Sequence, residues 1–227
     1  GELRDPERHP EQFQDSPLGR IPKGWYVVPF GALCESSAFG PRFPADRYSA
    51  TGGLATLRTT DISDDGGIDL TTMPRAAIPP SAFSSHLLRP FDLVISRSGT
   101  CGIAAVFPGH SLAVVPGAFL IRFRLSRVLS TAFFRRYFNS KIGRPRLERL
   151  AVGGVQKNIK GSDVLSLLVP SPSENEQDAI VRAIESVCDS EQRETEDLVK
   201  LRVLKAGLSD DLLTGRVRTT SLPGFSA

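Results

Sequence analysis

From about residue 25 to residue 169 the chain alternates short apolar runs with turn residues. WYVVPF, GLATLRTTDI, FDLVISRSGT, GIAAVF and AFLIRFRL are separated by Gly, Pro, Ser and Asp, which reads as a succession of β-strands and loops. One helical interruption, STAFFRRYFNSKIGRPRLERLA, places Phe133, Phe134, Tyr137 and Phe138 at the spacing of a buried stripe, with Arg135, Arg136 and Lys141 on the other side. After LSLLVPSP the pattern changes. Ser173 and Glu176 form an S-x-x-E capping box just past Pro170 and Pro172, which signals a helix start. Beyond it Ile180, Ile184, Val187, Glu191, Glu194, Leu198, Leu201, Lys205, Leu208 and Leu212 recur in steps of four and three, the coiled-coil period. Glu191 and Glu194 interrupt this seam and weaken a simple self-zipper, although a polar break also fixes register.

The predicted class is therefore α+β. A mostly-β domain with a few helices spans 20–172, and a long coiled-coil-forming helix spans 173–214 and ends at Gly215. That helix would extend about 60 Å at 1.5 Å per residue, far more than a small domain needs as a cap, so it calls for a partner along its length. Its apolar positions Ile180, Ile184, Val187, Leu198, Leu201, Leu208 and Leu212 are the candidate partner contacts; the competing reading is an amphipathic helix folded back on its own body. Residues 1–19 read as an extended arm and 215–227 as a flexible tail.

Charge sharpens this division. The formal net charge of +3 hides a strong asymmetry: residues 16–169 carry +10, whereas residues 1–15 carry −3 and residues 170–227 carry −4. Between 122 and 160, eleven basic residues meet only Glu148, a polyanion-binding footprint unless it is merely a solvated basic face. Arginine supplies 22 of the 28 basic residues, and its planar fork suits phosphate oxygens and guanine edges. No apolar run approaches the roughly 18–20 residues of a membrane span. The charged N-terminal stretch has no apolar core of a secretory signal, and Cys34, Cys101 and Cys188 form no CxxC pair, so a reducing cytoplasm is the expected setting.

Catalytic patterns are sparse. His9, His86 and His110 sit in no metal or nucleophile motif, and no metal site is expected. GGVQKNIKGS at 153–162 has the composition of a phosphate loop but places Ile159 where that motif needs glycine. Two alternatives to a binding protein stay open: a small hydrolase with a thiol or phosphate-loop site around Cys101 or 153–162, and a protein–protein scaffold built on the helix.

PLGRIPKGWYVVPFGAL, LRTTDI, DLVISRSGTCG, GGVQKNIKGSDVLSLLVPSPSENEQDAIV and LKAGLSDDLLTGRVR, in this order over about residues 16–218, resemble the specificity subunit of type I restriction-modification systems. The resemblance implies a prokaryotic, cytoplasmic, non-catalytic protein with one target recognition domain and one spacer helix. It would read one half of a bipartite site in double-stranded DNA. Full subunits of this family carry two of each element, so the second half would come from a homodimer or lie in cis. The implied partners are methyltransferase subunits and a motor-nuclease subunit, with S-adenosylmethionine and ATP held by those partners and no cofactor on this chain. The candidate DNA contacts come from three loop regions: Arg42, Arg47 and Tyr48 from 36–49; Arg58, Thr59, Thr60, Arg97, Ser98 and Thr100 from RTTD and SRSGT; and Arg144, Arg146, Gln156, Lys157, Asn158 and Lys160 from the basic segment.

Overall fold

The structure is a computed structural model that describes residues 5–127, 130–153 and 157–218. It divides into two compact units, one ending at Val181 and the other beginning at Arg182. In chain order the first unit contains β1 (Phe13–Ser16), β2 (Gly19–Pro22), β3 (Tyr26–Pro29), β4 (Cys34–Phe39), β5 (Leu54–Leu57), β6 (Arg75–Ala76), β7 (Leu93–Ser96), β8 (Ala104–Val106), β9 (Ala113–Pro116) and β10 (Leu120–Leu125). Helices α1 (Ser130–Asn139), α2 (Arg144–Glu148) and α3 (Gly161–Ser166), strand β11 (Leu168–Ser171) and the start of α4 (Glu174–Leu213) complete it.

The central sheet has the order β4-β10-β7-β8 and is antiparallel throughout. Because side chains alternate along a strand, each central strand feeds two cores. Leu93, Ile95, Ile121 and Phe123 join Phe30, Phe134, Phe138 and Leu147 on one face, while Val94, Leu120 and Ala105 join Ala55, Leu57 and Val114 on the other. The first face is thus covered by α1 and α2, and the second by a small sheet, β6-β5-β9, whose β5 and β9 run parallel. Phe30 anchors the first core edge-to-face against Phe123, Phe134 and Phe138, at ring centroid distances of 5.5, 5.4 and 5.0 Å. The expected aromatic stripe of α1 is therefore core.

Several expectations change. The arm expected up to residue 19 forms, from Phe13 to Pro22, an antiparallel hairpin in which Ser16 pairs with Gly19. Ser36–Phe39, expected as loop, belongs to β4: its polar Cys-Glu-Ser-Ser-Ala run alternates between half-buried and exposed, so it lacks the apolar density that marks its neighbours. The single helix expected from 130 to 151 splits in two, because Ser140 Oγ accepts the amides of Ile142 and Gly143 and so ends the first helix. Gly143 then passes so close to the Tyr137 carbonyl that a Cβ would lie 2.1 Å from its oxygen.

The turn before β7 contains a strained residue. Asp92 N–H donates to the Arg89 carbonyl at 3.0 Å with Pro90 and Phe91 between them, and Phe91 holds φ +71° at the position where such turns take glycine. Its side chain is 55% exposed, so little burial offsets the strain. Phe91→Gly is expected to raise stability by about 1 kcal/mol, the relief of a left-handed non-glycine residue less the added chain entropy of glycine. A higher urea midpoint at unchanged slope is the expected readout.

At the start of α4, the Ser173 carbonyl accepts the amides of Glu176 and Gln177, and Gln177 Nε2 donates to the Pro172 carbonyl at 2.9 Å. Val181 is buried in the first core and Ile180 packs against it. Ile180, expected as a partner contact, is partly buried against this core, so the first two turns of the helix help complete the body.

In the second unit the helix continues to Leu213 and ends at Gly215, which takes φ +70°. Ile184, Val187, Leu198, Leu201 and Leu208 are all exposed, and so are Val199, Val203 and Leu204, which broadens the apolar face beyond the expected seam. Leu212 is half-buried. Of the tail, residues 219–227 lie outside the described residues, as do 1–4 of the arm. Among the described residues no helix is long and apolar enough to cross a membrane.

Candidate nucleic-acid interface

The loops that follow β5 and β7 carry polar groups held in place by several hydrogen bonds each. After β5 the chain turns through Arg58-Thr59-Thr60-Asp61. Asp61 is 2% exposed, and its carboxylate organises the turn: Oδ2 accepts the Arg58 amide at 2.7 Å and Arg58 Nε at 3.1 Å, while Oδ1 accepts Arg58 Nη2 at 2.6 Å and the Thr72 hydroxyl at 3.0 Å. Arg58 Nη2 also donates to the Thr72 carbonyl at 2.9 Å. The hydrogen bond to Asp61 raises the Arg58 guanidinium further above its usual range, so this charge is permanent and held in one orientation.

After β7, Arg97 is fixed by other means. Its amide donates to the Phe119 carbonyl at 2.8 Å, its carbonyl accepts the Ile159 amide at 2.9 Å, and its Nε donates to Asn158 Oδ1 at 2.9 Å. The guanidinium lies 4.4 Å from the centroid of the Phe39 ring. Ser98 and Asn158 are bridged antiparallel, and Asn158 exchanges backbone hydrogen bonds with Val152. The two stretches SRSGT and KNIK, some sixty residues apart, thus form one surface.

Two neighbouring clefts display these groups. The larger, about 510 Å³, is lined by Arg42, Phe43, Tyr48, Arg58, Thr59 and Thr60 together with the Gly117–Phe119 turn, and Thr56 contributes a buried hydroxyl with no hydrogen-bond partner among the described residues. The smaller, about 120 Å³, is lined by Arg42, Arg97, Ser98, Ala118, Phe119 and Asn158. Arg42, Ala118 and Phe119 belong to both, so the clefts adjoin. The tilted ring pair of Phe43 and Tyr48, 5.2 Å apart, walls the larger one. Gly40 permits the approach of the 117–119 turn, since a Cβ there would lie 1.9 Å from the Gly117 carbonyl oxygen.

Eight of the expected contact residues are brought together in this way: Arg42, Tyr48, Arg58, Thr59, Thr60, Arg97, Ser98 and Asn158. Arg47, Thr100, Lys157 and Lys160 are exposed but line neither cleft. Arg144 is held by Glu148 Oε1 at 3.2 Å and the Asp64 carbonyl at 3.0 Å, and Arg146 is half-buried beside Tyr137; both sit on α2 away from the cleft linings. Gln156 lies outside the described residues. Sequence reasoning missed Phe39, Phe43 and Phe119, and did not single out Asp61. Phe-Gly-Pro-Arg-Phe at 39–43 was the available signal, two aromatics flanking an arginine.

The basic segment from 122 to 160 is not a single surface. Arg122 and Arg124 point into the body toward Asp92, and Arg127 pairs with Glu174. Alternation along β10 turns Arg122 and Arg124 to one side while Ile121 and Phe123 take the other, which linear charge counting does not register.

The thiol reading finds no support in the geometry. Cys101 is buried, donates to the Arg97 carbonyl at 3.2 Å and the Lys157 carbonyl at 3.6 Å, and burial pushes its thiol up, away from the reactive thiolate. The half-buried Cys34 thiol is pushed up to about 12 by burial. His86 is engaged with Ser85, and His110 with the Leu112 amide. Cys101 instead ties the SRSGT turn to the segment beginning at Lys157.

No family model matches the chain. Over 210 residues, 92% of its length, it is 26% identical to the "Putative type I restriction enzyme MjaX specificity subunit" of Methanocaldococcus jannaschii, of which it covers 47%. This curated relative is thus named as a type I specificity subunit. The fold agrees with that of solved chains: the HsdS subunit from Thermoanaerobacter tengcongensis matches with a TM-score of 0.61 at 23% identity, over 88% of this chain and 47% of that one. The type I S subunit from M. genitalium matches at 0.52 and 19% identity, over 82% and 45%. A chain from work on complex assembly and conformational transition of the type I R-M system matches at 0.61 and 20% identity, over 90% and 49%. The chain thus spans about half the length of the curated relative and of each solved chain that it matches.

Proposed function

We propose that this chain is a DNA-reading half of a type I specificity subunit, without catalytic activity of its own. Its first unit binds double-stranded DNA and reads one half of a bipartite site. Its long helix pairs with a second half, from another copy or in cis, and docks methyltransferase subunits, with a motor-nuclease subunit joining for cleavage. S-adenosylmethionine and ATP are held by those partners, and the complex works in a prokaryotic cytoplasm. One observation carries this reading: the adjoining clefts present Arg42, Arg58 and Arg97 on a single surface, two of them held rigid by buried or loop-tied partners. Phosphate contacts would position the domain, and groups at the cleft floor would meet base edges. The engaged thiols and histidines described above argue against the hydrolase alternative.

The test is duplex binding as a function of salt. Four or five phosphate contacts imply that affinity falls on the order of 100-fold between about 50 and about 200 mM salt. Binding that does not change with salt, or turnover of a substrate by the isolated chain, overturns the proposal.

A further inference from the structure

We propose that Arg97 is a specificity-determining residue that reads guanine in the major groove; this rests on the DNA-reading function above. The argument is an inventory of hydrogen-bond donors. Guanidinium carries five N–H groups, one on Nε and two on each terminal nitrogen. In Arg58, Nε and Nη2 are both spent, on Asp61 and on the Thr72 carbonyl, which leaves only Nη1 to face a ligand. A single amino group suits one phosphate oxygen. In Arg97 only Nε is spent, on Asn158, and neither terminal nitrogen bonds any described residue. The end-on fork that matches two acceptors side by side is therefore intact.

Asn158 narrows the choice of base. Arg97 Nε can only donate, so the Asn158 carbonyl oxygen must face it, and the amide nitrogen is turned outward. Asparagine recognises adenine by offering an acceptor to N6–H and a donor to N7, but here the carbonyl oxygen is held on Arg97 Nε, which leaves it one lone pair and fixes its direction. The Arg97–Asn158 pair thus presents an excess of donors, the two terminal nitrogens of Arg97 and the Asn158 amide nitrogen. In the major groove guanine is the base that offers two acceptors, N7 and O6, whereas adenine and cytosine each present an amino donor that this surface would repel.

The pair is also rigid. Phe39 lies beneath the guanidinium and packs on Gly161, where a Cβ would approach its ring to 3.2 Å. Asn158 is held through its backbone by Val152, and Arg97 through its backbone by Phe119 and Ile159. Arg42, in contrast, is exposed and makes no hydrogen bond or ion pair with the described residues, as befits a phosphate contact.

Selection from a random duplex pool with the full chain identifies the preferred half-site, and guanine-to-adenine and guanine-to-7-deazaguanine duplexes then test each guanine in it. For wild type, one guanine is expected to prefer its natural form over both replacements on the order of 10- to 100-fold. In Arg97→Ala, and in Arg97→Lys, which keeps the aliphatic stem over Phe39, that ratio is expected to fall to about 1. Arg58→Ala is expected to weaken every duplex by the same factor and leave the ratio intact. If wild type enriches a sequence but both Arg97 variants retain every guanine ratio, the assignment of Arg97 is overturned and DNA reading stands. If wild type enriches no sequence, the DNA-reading function itself is overturned.

Discussion

Asp92→Ala is expected to destabilise the chain by about 3–5 kcal/mol, because it strands buried cations without their counter-charge. Asp92 is 2% exposed. It takes a bidentate pair from Arg124, Nε to Oδ1 at 2.8 Å and Nη2 to Oδ2 at 2.6 Å, and also accepts the Arg89 amide at 2.8 Å. Arg122, 3% exposed, lies 4.0 Å from the same carboxylate. Its Nε and Nη1 have no hydrogen-bond partner among the described residues, and Nη2 reaches only the Ser85 carbonyl at 3.4 Å. Burial first, and the Arg124 charge second, push the Arg122 guanidinium below its usual range. Two arginines therefore share one carboxylate inside the fold, and removing it leaves both uncompensated. For a chain of this size the expected loss is about 10 °C in melting temperature. Arg122→Met provides the internal check. It removes the poorly partnered cation while filling the space, and is expected to be neutral or stabilising. Destabilisation of Arg122→Met as large as that of Asp92→Ala would show that Arg122 contributes more than its geometry indicates.

The second large effect concerns the helix. In solution the chain is expected to self-associate through α4, and Leu198→Lys with Leu201→Lys to weaken that association on the order of 1,000-fold or more. Leu198 and Leu201 are 48% and 62% exposed. Burying a leucine contributes about 1.5–3 kcal/mol, and a two-fold pairing would lose two side chains from each copy. Both lie more than four helical turns beyond Val181, the last core residue, so the melting temperature of the body should not move. Sedimentation equilibrium of wild type and double variant is the measurement; a strict wild-type monomer would assign the seam to a different partner.

Strands β3, β5, β7, β8 and β10 and the long helix were legible in the sequence because each carries its signal locally: alternation or apolar density in the strands, and a 3.5-residue repeat after a capping box in the helix. The aromatic stripe of α1 was equally legible, since Phe133, Phe134 and Phe138 are spaced to share a face. Strand β4 was not, because a Ser-rich edge strand gains its place from pairing with β10 rather than from its own residues. Similarly, the helix seam could be read from its period, but Ile180 could not be separated from it, because only packing against the first core tells a capping turn from a docking face.

For the candidate site, residue types in turn-rich loops pointed to eight of the cleft residues. What those residues can do was decided elsewhere. Arg58 is limited by a buried aspartate three positions on and by Thr72, whereas Arg97 is armed by an asparagine 61 positions away and a phenylalanine on another strand. The sequence by itself determined which groups carry charge and which segments alternate, since both are properties of neighbours along the chain. Only the tertiary structure decided which arginines face inward to Asp92 and which keep their donors for a ligand, because hydrogen bonds and burial are settled between residues that chain order leaves far apart.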